Sequence, residues 1–163
     1  MMAEDRKHLE PGNKEYDGDI SGKEYDAVTR CQVFTSHIYN STSGAPKDKR
    51  YSICKVVQGY CNNLIHFTRQ ANYFNLFEQT KDRFLYRAVS IELINMVDDM
   101  LPVIRRCRCF SPKKEAELHK KLNDLKISFN IWVSSDKKRL KENGVCEPII
   151  LPSEVLEILN FVL

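Results

Sequence analysis

The chain has 163 residues, of which 42% are hydrophobic, so it is long enough for one domain with its own core and too short for two ordinary domains. Its formal net charge is only +3, yet residues 27–141 hold twenty-one basic against ten acidic side chains, while residues 1–26 and 142–163 are acidic. No stretch approaches the roughly 18 consecutive apolar residues of a membrane span, and the acidic start is unlike a signal peptide, so we expect a soluble cytoplasmic protein.

The first part of the chain combines an arm with a helix. Residues 1–20 are charged and contain Gly and Pro but little to bury, which predicts an acidic flexible arm. The ordered fold should begin near Ser21. The apolar positions of the first helix follow a helical period: Val28, Cys31, Phe34 and Ile38. Gly44 and Pro46 end this helix.

Two further helices are predicted before residue 102. The second runs from Asp48 or Lys49 to about Asn72, and the third begins near Asp82. Pro102 should bend or end the third helix, because proline lacks the backbone donor and clashes with the preceding turn. Three arginines near the connection between these helices are expected to pair with Glu78 and Asp82 or to contact a partner: Arg69, Arg83 and Arg87.

The fourth helix has the clearest start. Ser111 is a good N-cap and Pro112 suits the first helical position, where its missing amide costs nothing. The helix should run to about Leu140. Its apolar positions are four and three residues apart in turn: Leu118, Leu122, Leu125, Phe129 and Trp132. Residues 142–163 predict a linker and a short helix from Ser153 to Val162, so apolar on all sides that we expect it to be buried.

Four helices of this length joined by short connections predict an all-α fold, an antiparallel up-down four-helix bundle over residues 21–141. In that connectivity the turns that precede the second and fourth helices lie at one end, which makes this end basic. Two lysines of the fourth helix, Lys120 and Lys121, extend the charge. The candidate nucleic-acid-binding residues are Lys47, Lys49, Arg50, Arg105, Arg106, Arg108, Lys113, Lys114, Lys120 and Lys121.

Helix dipoles divide these candidates into two groups. Cations near a helix N-terminus are disfavoured by the dipole, so they are better candidates for binding than for local stability. This group contains Lys47, Lys49, Arg50, Lys113 and Lys114. Arg105, Arg106 and Arg108 instead follow the third helix, where complementing its negative C-terminal end is an alternative explanation.

Catalytic and metal-binding patterns are weak in this sequence. The four histidines lie on different segments, and no Gly-rich phosphate loop or nucleophile with an evident base is present. We therefore expect no enzyme activity and no cofactor or metal, a nuclease being the weaker alternative. Cys107 and Cys109 have the spacing of half a zinc site but lack a second ligand pair.

Several short motifs resemble a known four-helix family. They are the run Ala45–Ser52, Ala71–Asn72, the Arg83–Arg87 segment and the run Ile131–Ser135 with its trailing basic residues. They resemble the family of the accessory variability determinant (Avd) protein of diversity-generating retroelements, and the similarity spans about residues 24–141. The related proteins encoded in intervening sequences of bacterial large ribosomal RNA are similar in the same motifs.

The resemblance implies a non-catalytic protein that forms a ring-like homopentamer and binds template RNA, and possibly DNA, together with a reverse transcriptase. In this family such binding supports mutagenic cDNA synthesis. Lys47, Lys49 and Arg50 match the basic residues that precede the family's second helix, whereas Pro46, Tyr51 and Trp132 match structural positions. The acidic arm and the apolar tail depart from the family pattern, and a protein-interaction module that uses the apolar C-terminal helix is the alternative function.

Overall fold

The structure is a computed structural model that describes the backbone of residues 20–163 and the side chains of residues 27–163. The predicted acidic arm lies outside the described residues, except for Ile20. The described part is all-helical, as predicted, and no helix within it is long and apolar enough to cross a membrane. The helices are α1 (Ile20–Thr42), α2 (Lys47–Arg50), α3 (Ile53–Tyr73), α4 (Thr80–Arg106), α5 (Pro112–Glu142) and α6 (Pro152–Val162).

Four long helices pack side by side, and sequential neighbours run in opposite directions. On α1 and α3, the amide of Asn62 donates to the Tyr39 hydroxyl at 3.0 Å and the amide of Gln58 donates to the Thr42 hydroxyl at 3.1 Å. Because the residue number falls on α3 as it rises on α1, the pair is antiparallel. The same criterion makes α3–α4 antiparallel, from the contacts Thr68–Ser90 and Phe74–Arg83, and α4–α5 antiparallel as well. Helix α1 also packs on α5.

The core is built from the apolar stripes that the helical period predicts. Cys31 and Ile38 of α1, Leu64 of α3, Leu93 of α4 and Phe129 of α5 are all fully buried. Along each long helix such buried residues recur about every three or four positions, so one face of the helix is removed from water. Burial of one such large side chain contributes about 1.5 to 3 kcal/mol.

The predicted second helix is divided into two pieces. The one-turn helix α2 ends at Arg50, and α3 starts at Ile53. Between them the Ser52 hydroxyl donates to the Asp48 carbonyl at 2.7 Å, so it takes the acceptor that the backbone would otherwise use to continue the helix. The prediction of one continuous helix from Asp48 or Lys49 was therefore wrong at this corner.

Pro102 was expected to bend or end the third helix, and it does not end it. The helix continues through Pro102 to Arg106. Leu101, just before the proline, and Ile104, two residues after it, are 1% and 0% exposed. Their burial offsets the roughly 3 kcal/mol that an interior proline costs, because the last turn of the helix is held in the core.

Arg83 and Arg87 belong to a buried charged cluster rather than to a surface. Arg83 Nε donates to the Asp136 carboxylate at 2.7 Å, and Arg87 Nη1 donates to the same oxygen. The guanidinium groups lie 5.4 Å and 4.9 Å from the centre of the Trp132 ring. The expected pairing with Glu78 and Asp82, or contact with a partner, was wrong for these two arginines, because Asp136 from the fourth predicted helix faces them.

The C-terminal segment returns along the end of the molecule opposite Lys47–Arg50. Gly144 has φ +68°, and Val145 N–H donates to the Leu140 carbonyl at 2.9 Å, which closes α5 with a Schellman turn. Lys81 at the start of α4 pairs with Glu154 at 2.7 Å and so places α6 beside α4.

Only one side of α6 is buried. Leu159 is 3% exposed and packs in the main core, with Val155 and Ile158 partly buried beside it. Leu156 and Phe161 are 54% and 92% exposed. The expected burial of this helix is confirmed for one face only, since an eleven-residue helix resting on α4 covers a single face.

Candidate nucleic-acid interface

The two basic turns lie at the same end of the molecule. Cys109, which follows α4, lies close enough to Cys54, in the first turn of α3, to help raise the pKa of the Cys54 thiol. Both cysteines are buried in the main core cluster. This contact joins the turn of residues 43–52 to the turn of residues 107–111. We call this end the basic pole and define it by Lys47, Lys49, Arg50, Arg105, Arg106, Arg108, Lys113 and Lys114.

Most of the candidate cations at and near the basic pole are exposed. Lys49, Arg105 and Lys114 are half-buried. The exposed candidates are Lys47, Arg50, Arg106, Arg108, Lys113, Lys120 and Lys121. Lys120 and Lys121 lie about 12 Å along α5 from its first residue, at 1.5 Å per residue, so they extend the charge down the side of the molecule.

The three half-buried cations are also the ones that form ion pairs. Lys49 lies 3.7 Å from Asp48, Lys114 lies 3.0 Å from Glu117, and Arg105 pairs with Glu115. Three carboxylates, those of Asp48, Glu115 and Glu117, therefore offset part of the positive charge. The exposed candidates form no ion pair within residues 27–163, so their charge is presented to solvent.

Two titratable groups beside α5 respond to this positive charge. Burial lowers the pKa of His37 on α1, and Lys121 and Lys114 lower it further. A hydrogen bond from Lys114 lowers the pKa of Glu117, and the charges of Lys113 and Lys121 act in the same direction. The lysines of α5 therefore act together on their surroundings, including on the neighbouring helix α1.

Arg108 adopts a backbone conformation that favours glycine. It has φ +61°, in the left-handed region. Its N–H donates to the Arg105 carbonyl at 2.9 Å and Cys109 N–H donates to the Ile104 carbonyl at 3.2 Å, the two bonds of a Schellman turn. Gly144 occupies the same position at the end of α5. Arginine at this position costs local stability, which indicates a use for its side chain.

This geometry reverses part of the dipole argument. Lys47, Lys49 and Arg50 occupy the single turn of α2, so they stand at both ends of a helix too short to have a useful dipole. Arg108 also works against local stability, although the sequence left complementation of the helix dipole as an alternative explanation for it. Lys113 and Lys114 do lie in the first turn of α5, where Ser111 caps the Lys114 amide at 3.1 Å.

The sequence interpretation missed Tyr51. The family resemblance assigned it to a structural position, but its side chain is 72% exposed. It directly follows Arg50, and the exposed Lys55 lies one helical turn further along the chain. The available signal was its place within a run of lysines and arginines, where an aromatic residue is a common partner of nucleic-acid bases.

Cys107 and Cys109 belong to no cluster of metal-binding side chains within residues 27–163. Among the described residues, no group of three or more His, Cys, Asp or Glu side chains is arranged to hold a metal ion. Burial, together with the nearby Cys109 and Cys107, raises the pKa of Cys54 to about 12, so this thiol stays protonated at neutral pH. The half zinc site considered for Cys107 and Cys109 is not completed by side chains within the described part of the chain.

A separate polar cluster links α4 to α5 at mid-length. Asp98 lies 2.7 Å from His119 Nδ1 and accepts a hydrogen bond from Lys126 at 3.0 Å. Burial raises the pKa of Asp98, but the hydrogen bonds from Lys126 and His119 outweigh burial, so its pKa is below the usual value. Asp98 of α4 therefore holds two side chains of α5, those of His119 and Lys126.

Comparison of the chain with protein-family models, with curated proteins and with solved structures finds no match.

Proposed function

We propose that this protein is a non-catalytic nucleic-acid-binding accessory protein, which binds template RNA or DNA and a reverse transcriptase of a diversity-generating retroelement and so supports mutagenic cDNA synthesis. The nucleic-acid part of the proposal is supported by one observation: two basic turns far apart in sequence meet at one end and present exposed cations. The reverse transcriptase part is supported by the family resemblance of the helix motifs.

The chemistry of the basic pole suits phosphate groups. It combines eight cations with three carboxylates, those of Asp48, Glu115 and Glu117. Cations that replace condensed counterions on a nucleic acid gain affinity through counterion release, without reading the base sequence. Arg106 and Arg108, like the other exposed cations of the basic pole, have no carboxylate partner among the described residues, so they are well placed to contact phosphates.

A salt titration with charge-reversal variants tests this proposal. Replacing Arg106 and Arg108 by Glu should weaken binding of single-stranded RNA about tenfold at physiological salt and lower the salt slope by roughly 1.4, at about 0.7 per lost phosphate contact. The matched control reverses Lys138 and Lys141, two exposed lysines at the other end of α5. Equal loss in both variants would show that general charge, not the basic pole, binds RNA.

We also propose that the four long helices form an up-down four-helix bundle that assembles into a ring-like homopentamer. The closed set of contacts between α1, α3, α4 and α5 supports the bundle. Ile127 and Ile131, which are 50% and 41% exposed one turn apart on the outer face of α5, support self-association. A ring would repeat the basic pole and add avidity. A monomer by light scattering at micromolar concentration would contradict the ring.

The retroelement assignment has its own test. A reverse transcriptase and a repeated template encoded beside this gene would support it, and a large ribosomal RNA gene around it would favour the intervening-sequence relatives. With the reverse transcriptase in hand, co-purification after nuclease treatment should retain both proteins. Loss of the complex on nuclease treatment would mean that RNA alone joins them.

The exposed face of α6 favours a second candidate function, a protein-interaction module. Phe161 is 92% exposed and Leu156 is 54% exposed, in a segment without Lys or Arg. Replacing both residues by Ser should abolish capture of a protein partner from nuclease-treated extract while leaving RNA affinity unchanged. Retained capture in this double variant would exclude α6 as the binding surface.

A further inference from the structure

An exposed aromatic residue stands among the cations of the basic pole. Tyr51 is 72% exposed, and its hydroxyl forms no hydrogen bond with residues 27–163. A single exposed tyrosine needs no explanation by itself. Tyr51 differs because three exposed cations lie close to it in sequence. They are Lys47, four residues before it, Arg50, one residue before it, and Lys55, four residues after it.

The backbone under Tyr51 is well held. Arg50 N–H donates to the Pro46 carbonyl at 2.9 Å, and Tyr51 N–H donates to the Lys47 carbonyl at 3.3 Å. The Ser52 hydroxyl closes the same corner through its 2.7 Å bond to the Asp48 carbonyl. Since tyrosine also has few rotatable bonds, a ligand that stacks on its ring has little side-chain entropy to overcome.

Other exposed tyrosines lack this combination. Tyr39 is 42% exposed, but its hydroxyl accepts a hydrogen bond from Asn62 at 3.0 Å and lies along the α1–α3 side. Tyr73 is 78% exposed at the end of α3, far from the basic pole. Tyr73 therefore offers a control with the same side chain and similar exposure.

We propose that Tyr51 stacks on an unpaired base, so that the basic pole is a site for single-stranded nucleic acid. This inference rests on the proposed nucleic-acid function and specifies its ligand class. An aromatic face stacks on any base, provided that the base is not already stacked inside a duplex. Lys47, Arg50 and Lys55 would meet the phosphates on either side of that base. The alternative ligand at this pole, duplex RNA, would use the cations alone.

The test compares an oligouridylate, which has little structure, with a blunt RNA duplex of the same strand length, by fluorescence anisotropy. Tyr51→Ala should weaken oligouridylate binding about 5- to 150-fold, which corresponds to the range for loss of one stacked base. It should leave duplex binding and the salt slope unchanged, because no charge is removed. Tyr73→Ala should change the affinity for neither the oligouridylate nor the duplex. A thermal melt should show that both variants are folded.

A second variant reports stacking directly. Tyr51→Trp should keep the affinity for oligouridylate, and its fluorescence should be quenched when the base stacks on it. The native Trp132 is only 1% exposed, so it supplies a constant background. An unquenched signal on saturated protein would overturn the stacking proposal.

The outcomes separate this inference from the proposed function. If the Arg106 and Arg108 reversal weakens oligouridylate binding but Tyr51→Ala does not, the basic pole binds nucleic acid without stacking and the inference is wrong. If Tyr51→Ala weakens single-stranded and duplex binding equally, stacking is also excluded. If neither change has an effect, the proposed function itself fails.

Discussion

Replacing Arg108 by Gly should stabilise the fold and weaken RNA binding at the same time. A non-glycine residue in the left-handed region costs roughly 1 to 2 kcal/mol. Glycine also loses about 0.4 to 1 kcal/mol more conformational entropy on folding, which reduces the gain. With φ at +61° and both Schellman hydrogen bonds already in place, we expect the free energy of unfolding to rise by about 0.5 to 1 kcal/mol.

Thermal melting by circular dichroism measures the first effect. For a chain of 163 residues, this gain corresponds to a rise in Tm of about 1 to 4 °C. The same variant should bind single-stranded RNA about fourfold more weakly at physiological salt, with a slope lower by about 0.7, because one exposed cation is lost.

Two variants serve as controls. Arg108→Lys keeps both the charge and the strain, so its Tm and its RNA affinity should match those of the wild type. Gly144→Ala is the reverse change, because it adds a side chain at a glycine in the left-handed region. Gly144 has φ +68°, and an added Cβ would meet no atom within 4 Å. It should lose about 0.5 to 1 kcal/mol through the backbone alone. A Tm for Arg108→Gly at or below the wild-type value, with Gly144→Ala behaving as expected, would refute the strain argument.

Three further changes probe stability. Asp136→Asn should lower the free energy of unfolding, measured in urea, by about 3 to 5 kcal/mol, because two buried arginines lose their carboxylate partner. Asp124→Asn, on the surface, should change it little, and equal effects of the two substitutions would contradict a buried ion pair. The pKa of Asp98 is lowered in the folded state, so its contribution to the free energy of unfolding is present above its unfolded pKa and is lost as the pH falls through its folded pKa. Asp98→Asn should therefore reduce the loss of stability below about pH 4. An unchanged dependence of stability on pH in this variant would argue against a stabilising role of the Asp98 carboxylate. Ser111→Ala should cost about 1 kcal/mol by removing the N-cap of α5, measured by thermal melting, and no loss would mean that the cap adds nothing.

The positions of the long helices followed from local sequence. The start of α5 was predicted from Ser111 and Pro112 because capping depends on adjacent residues, and the core faces were predicted from the helical period. The break before Ile53 was missed because it depends on one hydrogen bond from the Ser52 side chain. Such a bond competes with the backbone in a way that residue spacing does not show.

The candidate site was only partly predictable. The sequence identified its cations, and assumed antiparallel helices placed them at one end. It did not show which cations are paired, since Arg105 meets Glu115 through the side-chain geometry of two different helices. The partner of Arg83 lies 53 positions away, beyond the reach of any local pattern. The left-handed conformation of Arg108 was hidden for a different reason, because glycine usually marks that position.

The one-sided attachment of α6 gives the molecule two levels of cooperativity. Its eleven residues rest chiefly on α4 through Leu159, Val155 and Ile158, whereas each long helix packs on two others. Local opening of α6 therefore costs less free energy than global unfolding. In hydrogen exchange, its amides should exchange first and as a group, while the amides of α3 and α4 persist until the whole domain unfolds.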